Sequence, residues 1–226
     1  MKLDEALARA EQVGWLAEQP ARFRAGVLKR CRLRPLQVGT PLYVLGDPPG
    51  GVWGLVDGFV DVLLAVGPGS PFLVHIGRPG WWVGEAAAAT RTTRRVDVRA
   101  RTAMHALYLS PKALSELAEE DASAWRCFAT LSVAHLDNAL SLAVALAPGS
   151  VRSKVLATLI RLAGPPVQVD DVVELPCKQS EIAEMTGLTR NSVGPVMRQL
   201  IAEGLIEARR NRISYNPTRI KRAMEG

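Results

Sequence analysis

Cationic and hydrogen-bonding side chains crowd two short stretches of the sequence, Thr189-Arg190-Asn191-Ser192 and Arg209-Arg210-Asn211-Arg212. A guanidinium carries a rigid fork of N–H donors and no acceptor, so such clusters suit phosphate oxygens or the acceptor edge of guanine. The formal charge of +6 and a pI near 9.6 tilt the 226-residue chain toward an anionic partner without identifying it. Other chemistry is sparse. Cys31, Cys127 and Cys177 are odd in number, widely scattered and match no zinc or iron–sulfur spacing. They read as ordinary thiols in a reducing cytoplasm. His75, His105 and His135 are isolated, so heme ligation is weighed only as an alternative to structural or surface roles. The sequence holds no nucleophile elbow, Walker loop, metal-ligand cluster or dinucleotide fingerprint, which argues against an enzyme and against a bound metal.

The elements that must position these residues can be read from periodicity. Ile182, Ala183, Met185 and Leu188 give a first short helix an apolar face, and Gly187 fits the turn after it. Thr189 can cap a second helix that buries Val193, Val196, Met197 and Leu200. Leu205-Ile206 then opens a strand, the basic tip 209–212 turns, and Ile213 and Tyr215 return. Helix, turn, helix and hairpin make a winged helix-turn-helix, and its basic tip is the footprint of DNA binding.

Upstream, residues from about Arg32 to Ser110 alternate in short apolar segments punctuated by glycine: PLYVLGD, GVWGLVDGFVDVLLAVG, PFLVHIGRPGWWVGE and RRVDVRARTAMHALYLS. In the last of these Val96, Val98, Ala100 and Met104 fall on one face and Arg95, Asp97, Arg99 and Arg101 on the other, as in a half-buried antiparallel strand. A helical stripe occupies residues 3–16. A second, much longer helix is expected from Ser123 to Ala147, roughly 37 Å at 1.5 Å per residue. Its apolar surface is too wide for a solvated linker, so part should cover the β unit and part should meet another chain. His135 and Asn138 interrupt that surface and read as a partly exposed polar edge, with register-setting or a ligand contact as alternatives. Pro148-Gly149-Ser150 ends the helix, and Ser150 can cap the next one. The N-terminus lacks the apolar core of a signal peptide, and no uninterrupted apolar run approaches the ~20 residues that span a bilayer, so a cytoplasmic protein is expected.

The stretch IAEMTGLTRNSV…LIAEGLI resembles the DNA-binding domain of the cAMP receptor protein and fumarate–nitrate regulator (Crp/Fnr) superfamily of bacterial transcription regulators. The resemblance extends over nearly the whole chain. Gly39, Gly46-Asp47, Gly58, Gly80 and Gly84-Glu85 follow the family's β-roll texture, and the long helix resembles its dimerisation helix. It implies an α+β fold: a cyclic-nucleotide-binding-like β-roll, or double-stranded jelly roll, at 1–120; a dimerisation helix and hinge at 121–148; and a winged helix-turn-helix at 149–226. The implied function is a homodimeric, sequence-specific regulator whose partners are double-stranded DNA and itself, with RNA polymerase a further partner the family allows. A ligand-binding or protein-docking module with weakened DNA binding is the alternative. By the resemblance, Arg190 occupies the principal base-reading position, while Asn191 replaces the residue many relatives use and so alters the recognised sequence. Lys178, Gln179, Ser180, Thr189, Ser192 and Arg198 should touch phosphates, and Arg209, Arg210 and Arg212 are wing candidates for the same task.

The resemblance also raises the question of an effector. In cAMP-binding relatives a Gly-Glu pair, a short helical turn and an Arg-Ser/Thr step cradle the cyclic phosphate and ribose. This chain offers Gly84, Glu85 and Arg94, but Arg95 stands where a small hydroxyl residue belongs. Alternation points Arg94 inward and Arg95 outward; an inward Arg94 could form a salt bridge with Glu85 or serve as a phosphate clamp. The adenine-reading positions fall near Ala139-Leu140, whose side chains neither donate nor accept. No cofactor is therefore assigned: cyclic AMP is disfavoured, another small or anionic effector is preferred, and an empty site is the alternative.

Pro195 conflicts with a regular second helix. Either the helix kinks at Asn191, or it starts late, capped by Ser192, so that Pro195 enters the first turn where its missing N–H has no intrahelical partner. The late start is the favoured expectation.

Overall fold

A computed structural model describes residues 1–65, 71–164 and 171–225. The chain divides into two compact units, Met1–Pro71 with Ile76–Leu136, and Phe72–His75 with Asp137–Gly226.

The first unit opens with α1 (Leu3–Gln12), a 3₁₀ turn (Trp15–Glu18) and α2 (Ala21–Arg30). The helical stripe read over 3–16 thus ends at Gln12, because Gly14 adopts φ +78°, a region helices exclude. Eight short strands follow, of which only β5 is divided, its residues 72–75 falling in the second unit: β1 (Arg32–Leu36), β2 (Pro41–Tyr43), β3 (Val52–Leu55), β4 (Val60–Leu64), β5 (Phe72–Gly77), β6 (Trp82–Val83), β7 (Asp97–Ala100) and β8 (Met104–Leu109). Val66 and Gly67, the end of the segment read as strand-forming, lie outside the described residues. One antiparallel sheet has the order β1-β8-β3-β6 and the other β2-β7-β4-β5. The segment 96–104 is therefore two strands in two sheets. Its alternation nevertheless holds where it matters, with Val98, Ala100 and Met104 buried. Among the insertions, α3 (Glu85–Thr90) sits between β6 and β7.

Helices α4 (Pro111–Glu120) and α5 (Ala124–Leu146) follow the sheets. Ser110 Oγ accepts the Ala113 N–H at the start of α4, with Pro111 at a position that has no N–H to lose. The first turns of α5 are locked into an aromatic core. Trp15 lies 5.7 Å from Phe128 and 5.8 Å from Phe23, centroid to centroid, and Trp15 Nε1 donates to Thr130 Oγ1 at 2.9 Å. Burying rings of this size contributes on the order of 2–3 kcal/mol each. Farther along, Val133, Leu136, Leu140 and Val144 recur every three or four residues and are all more than half exposed. By length and average composition α5 is the one helix among the described residues apolar enough to cross a membrane, although it holds no uninterrupted apolar run. Its alanines and leucines sum to a membrane-like average even though Ser132, His135, Asp137 and Asn138 break any continuous run.

The second unit contains α6 (Val151–Ala163), β9 (Val173–Leu175), α7 (Gln179–Met185), α8 (Arg190–Ala202), β10 (Ile206–Arg209), β11 (Arg212–Tyr215) and α9 (Pro217–Glu225). Ser150 caps α6 by accepting the Ser153 N–H at 3.0 Å. The three strands form one antiparallel sheet in the order β10-β11-β9. Leu156, Leu159, Ile182, Met185, Val193 and Leu200 are buried, and the Tyr215 hydroxyl donates to the Leu159 carbonyl at 2.6 Å. All three cysteines are buried: Cys31 and Cys127 in the first unit, Cys177 in the second.

Candidate nucleic-acid interface and effector site

Helices α7 and α8 meet at a turn whose geometry the sequence dictates. Gly187 has φ +64°, a left-handed conformation that costs glycine little and other residues more. The Thr186 hydroxyl returns to the carbonyls of Ile182 and Ala183 at 2.8 and 3.0 Å, closing α7. The Lys178 N–H at the other end of α7 donates to Glu181 Oε2 at 2.7 Å. Gly194 is the contact point between the two helices, since a Cβ there would stand 3.0 Å from Gln179 Nε2. These constraints fix how α8 projects from the unit.

Thr189 is the N-cap of α8. Its Oγ1 accepts the Ser192 N–H at 3.2 Å, and Arg190 is the first helical residue. The late start at Ser192 is thus overturned, because Thr189 captures the first free N–H and leaves the helix no reason to begin later. Pro195 lies inside the helix and is exposed, so the Asn191 carbonyl loses its helical partner but stays within reach of water. Arg190, Asn191 and Ser192 share the first turn and are exposed, and Arg198 follows two turns later, also exposed. Lys178 and Ser180 are exposed before and at the start of α7, and Gln179 is half-buried. At the wing tip Arg209 and Arg210 are exposed. Arg212 is bound instead to Glu174 Oε1 on β9 at 2.5 Å.

The residues around α3 behave differently from their expected roles. Gly84 precedes the helix at φ +103°, where a Cβ would lie 2.7 Å from Arg94 Nη1 and 2.9 Å from the Gly51 carbonyl oxygen. Arg94 is buried and Arg95 exposed, the pattern expected of them, although both stand before β7 rather than in it and both line the same small cavity. Yet Arg94 neither pairs with Glu85 nor presents a free fork. Its Nη1 and Nη2 donate to the Gly84 and Gly51 carbonyls at 2.7 Å each, and its guanidinium stacks 4.3 Å over the Tyr43 ring.

Glu85 is 3% exposed and is satisfied from α5. Ser132 Oγ donates to Glu85 Oε1 at 3.0 Å, and His135 Nδ1 lies 3.0 Å from the same oxygen. Burial alone would raise this carboxyl. The His135 contact and charge, its own backbone N–H and the Ser132 hydroxyl outweigh burial and bring it below the ordinary carboxylate range. His135 is partly exposed, as expected of a polar edge, but it is more than that. It is a structural partner of Glu85, and its ring packs 5.3 Å from that of Trp81. Composition could not have found this pair; the only signal was a histidine and a serine one turn apart on a largely apolar helix. Tyr43, Gly84, Glu85, Arg94 and His135 enclose a cavity of about 120 Å³.

A family model for the cyclic nucleotide-binding domain matches residues 33–121, and one for the Crp-like helix-turn-helix domain matches 153–220. Among solved structures the fold is similar to FixK2 from Bradyrhizobium japonicum, at 18% identity and TM-score 0.71, covering 85% of this chain and 96% of that one. It is similar also to the c-di-GMP-responsive global regulator CLP of Xanthomonas campestris, at 24% identity and TM-score 0.63, covering 87% and 99%. A CooA variant from Carboxydothermus hydrogenoformans matches at 22% identity and TM-score 0.64, covering 88% and 89%. No curated protein matches the sequence.

Proposed function

Because the chain belongs to the Crp/Fnr superfamily of transcription regulators, we propose that it is a homodimeric, cytoplasmic, sequence-specific DNA-binding regulator. The observation that carries this reading is Arg190. It opens a helix capped by Thr189, is exposed, and shares its turn with Asn191 and Ser192, with no acidic residue in that turn. An arginine so presented can take O6 and N7 of a guanine in the major groove. Lys178, Gln179, Ser180, Thr189, Ser192 and Arg198 then serve the phosphates, and Arg209 and Arg210 extend the contact from the wing. Arg212 contributes less, being tied to Glu174. The exposed stripe of Val133, Leu136, Leu140 and Val144 on α5 is the surface a second copy would cover.

The pocket beside Glu85 does not suit a cyclic nucleotide. Ligand pockets usually span ~300–1,000 Å³, and this one holds about 120 Å³. Arg94 and Glu85, the two groups that would meet phosphate and ribose, already bind the protein's own atoms. Opening the site would break those bonds without first gaining any from a ligand. The reading is tested by selecting double-stranded fragments from a random pool in a mobility-shift assay, with cyclic AMP and c-di-GMP titrated by calorimetry in parallel. Enrichment of a near-palindrome with half-sites ~34 Å apart supports it. Failure to enrich any sequence removes it in favour of a ligand-binding or docking module, the reading that Pro195 keeps open.

A further inference from the structure

Helix α3 separates two cavities. Glu85, Ala86 and Ala87 line the small one, and Ala88 and Ala89 line a second of about 610 Å³. That volume lies within the range of small-molecule sites. The larger cavity brings together Arg91 at the end of α3, Lys112 and Ser115 on α4, and Trp125 in the first turn of α5, with Leu114 at its side. No carboxylate lines it. Trp125 is 41% exposed although it is the largest apolar side chain type, and its closest aromatic neighbour, Phe128, is 6.2 Å away. The indole thus packs beside Phe128, stays partly exposed and lines the cavity.

Arg91 is the second observation. It is the one non-glycine residue with positive φ among those described, at φ 55° and ψ 31°. As the C-cap of α3, Arg91 ends the helix in the left-handed conformation, a turn that sets its side chain among the residues lining the cavity. No hydrogen bond or ion pair engages its guanidinium among the described residues. Lys112 has only a loose contact of 3.8 Å to Glu116 one turn along α4.

We infer that this cavity is a binding site for a planar aromatic molecule carrying an anionic group, of mononucleotide size or smaller. The ring stacks on Trp125, and the anion takes the Arg91 guanidinium and the Lys112 ammonium. Such a ligand bears on both α3 and the first turn of α5. Under the regulator reading it would act on the dimer helix from outside the closed family pocket; the binding itself does not depend on that reading.

The test is free of DNA, so its failure is distinct from a failure to select an operator. The full chain is titrated with 1-naphthyl phosphate, 1-naphthoate and neutral 1-naphthalenemethanol, following the indole N–H resonances of its five tryptophans by NMR. The Trp125 resonance is assigned with Trp125→Phe. The expected result is a saturating shift of Trp125 with at least one anionic probe, and at least tenfold weaker binding of the neutral one. The phosphate and carboxylate arms tell which anion the site prefers. Arg91→Gly keeps the left-handed backbone while removing the charge, and it should weaken the anionic probe about tenfold, which a fold defect would not do selectively. Three results would overturn the inference: no Trp125 shift with either anion at millimolar concentration, equal binding of the neutral probe, or a shift confined to tryptophans other than Trp125, which would place the ligand elsewhere.

Discussion

Replacing Pro195 by alanine should stabilise the second unit, and the structure sets the size of the effect. With Thr189 as cap and Arg190 as first residue, Pro195 occupies the sixth helical position, beyond the turn where a missing N–H is harmless. Proline in a helix interior costs ~3 kcal/mol relative to alanine. Against this, removing proline frees the unfolded chain, which takes back ~0.4–1 kcal/mol. The side chain is exposed, so no core contact is lost on truncation. The net gain should be about 2 kcal/mol. For a domain of 60–100 residues that corresponds to a rise of roughly 8–16 °C in melting temperature. Differential scanning calorimetry of the full chain, reading the transition assigned to the winged helix, measures it. An unchanged or lower transition would refute the reasoning and show that the helix has adapted to its proline. The same logic extends to recognition: Pro195→Arg should raise affinity for a selected operator by restoring a regular helix and adding a phosphate contact. If Pro195→Ala and Pro195→Arg both bind more weakly than the parent, the proline belongs to the reading head.

Arg190→Ala should cost ~1–3 kcal/mol and relax preference at one operator position, whereas Arg210→Ala should weaken all sequences alike and lower the salt slope by about one unit; equal losses of Arg190→Ala on specific and random DNA would contradict the assignment. Leu140→Glu, placing a charge in the exposed stripe of α5, should turn a dimer into a monomer by light scattering at micromolar concentration, and a parent that is already monomeric would remove the dimer. Glu85, held below the ordinary carboxylate range, contributes stability that is full above that range and fades as pH falls through its lowered value. Glu85→Gln should therefore melt lower than the parent at pH 7, with the gap closing toward pH 3; a gap constant with pH would mean that the carboxylate charge is not what His135 and Ser132 stabilise.

The architecture was legible because its signals are local. Glycine at 187, a threonine cap at 189 and apolar spacing at 182–200 specify two helices and their turn without tertiary information. Residue parity agrees with the burial of Arg94 and the exposure of Arg95, although neither belongs to a strand. What the inward Arg94 would meet was not legible, because its partners are backbone carbonyls 10 and 43 residues away, which no side-chain pattern encodes. The Glu85–His135 contact joins residues 50 apart and reads in one dimension as a polar flaw on an apolar helix. The start of α8 was misjudged for another reason. Both Thr189 and Ser192 are competent caps, and Thr189 prevails by accepting the Ser192 N–H and adding a turn that carries Arg190.

The burial of the three cysteines gives the protein a built-in clock for local opening. Desolvation pushes the Cys31 thiol up to about 12 and raises Cys127 as well, with the Asp121 charge adding to the latter. At neutral pH the Cys31 thiol then stays almost wholly protonated, so an alkylating reagent finds almost no nucleophile until the surrounding structure parts. Cys31 and Cys127 report on the first unit, and Cys177, 1% exposed, reports on the second. Labelling rates at these sites, followed by mass spectrometry, would time the breathing of each half of the chain separately and without any mutation.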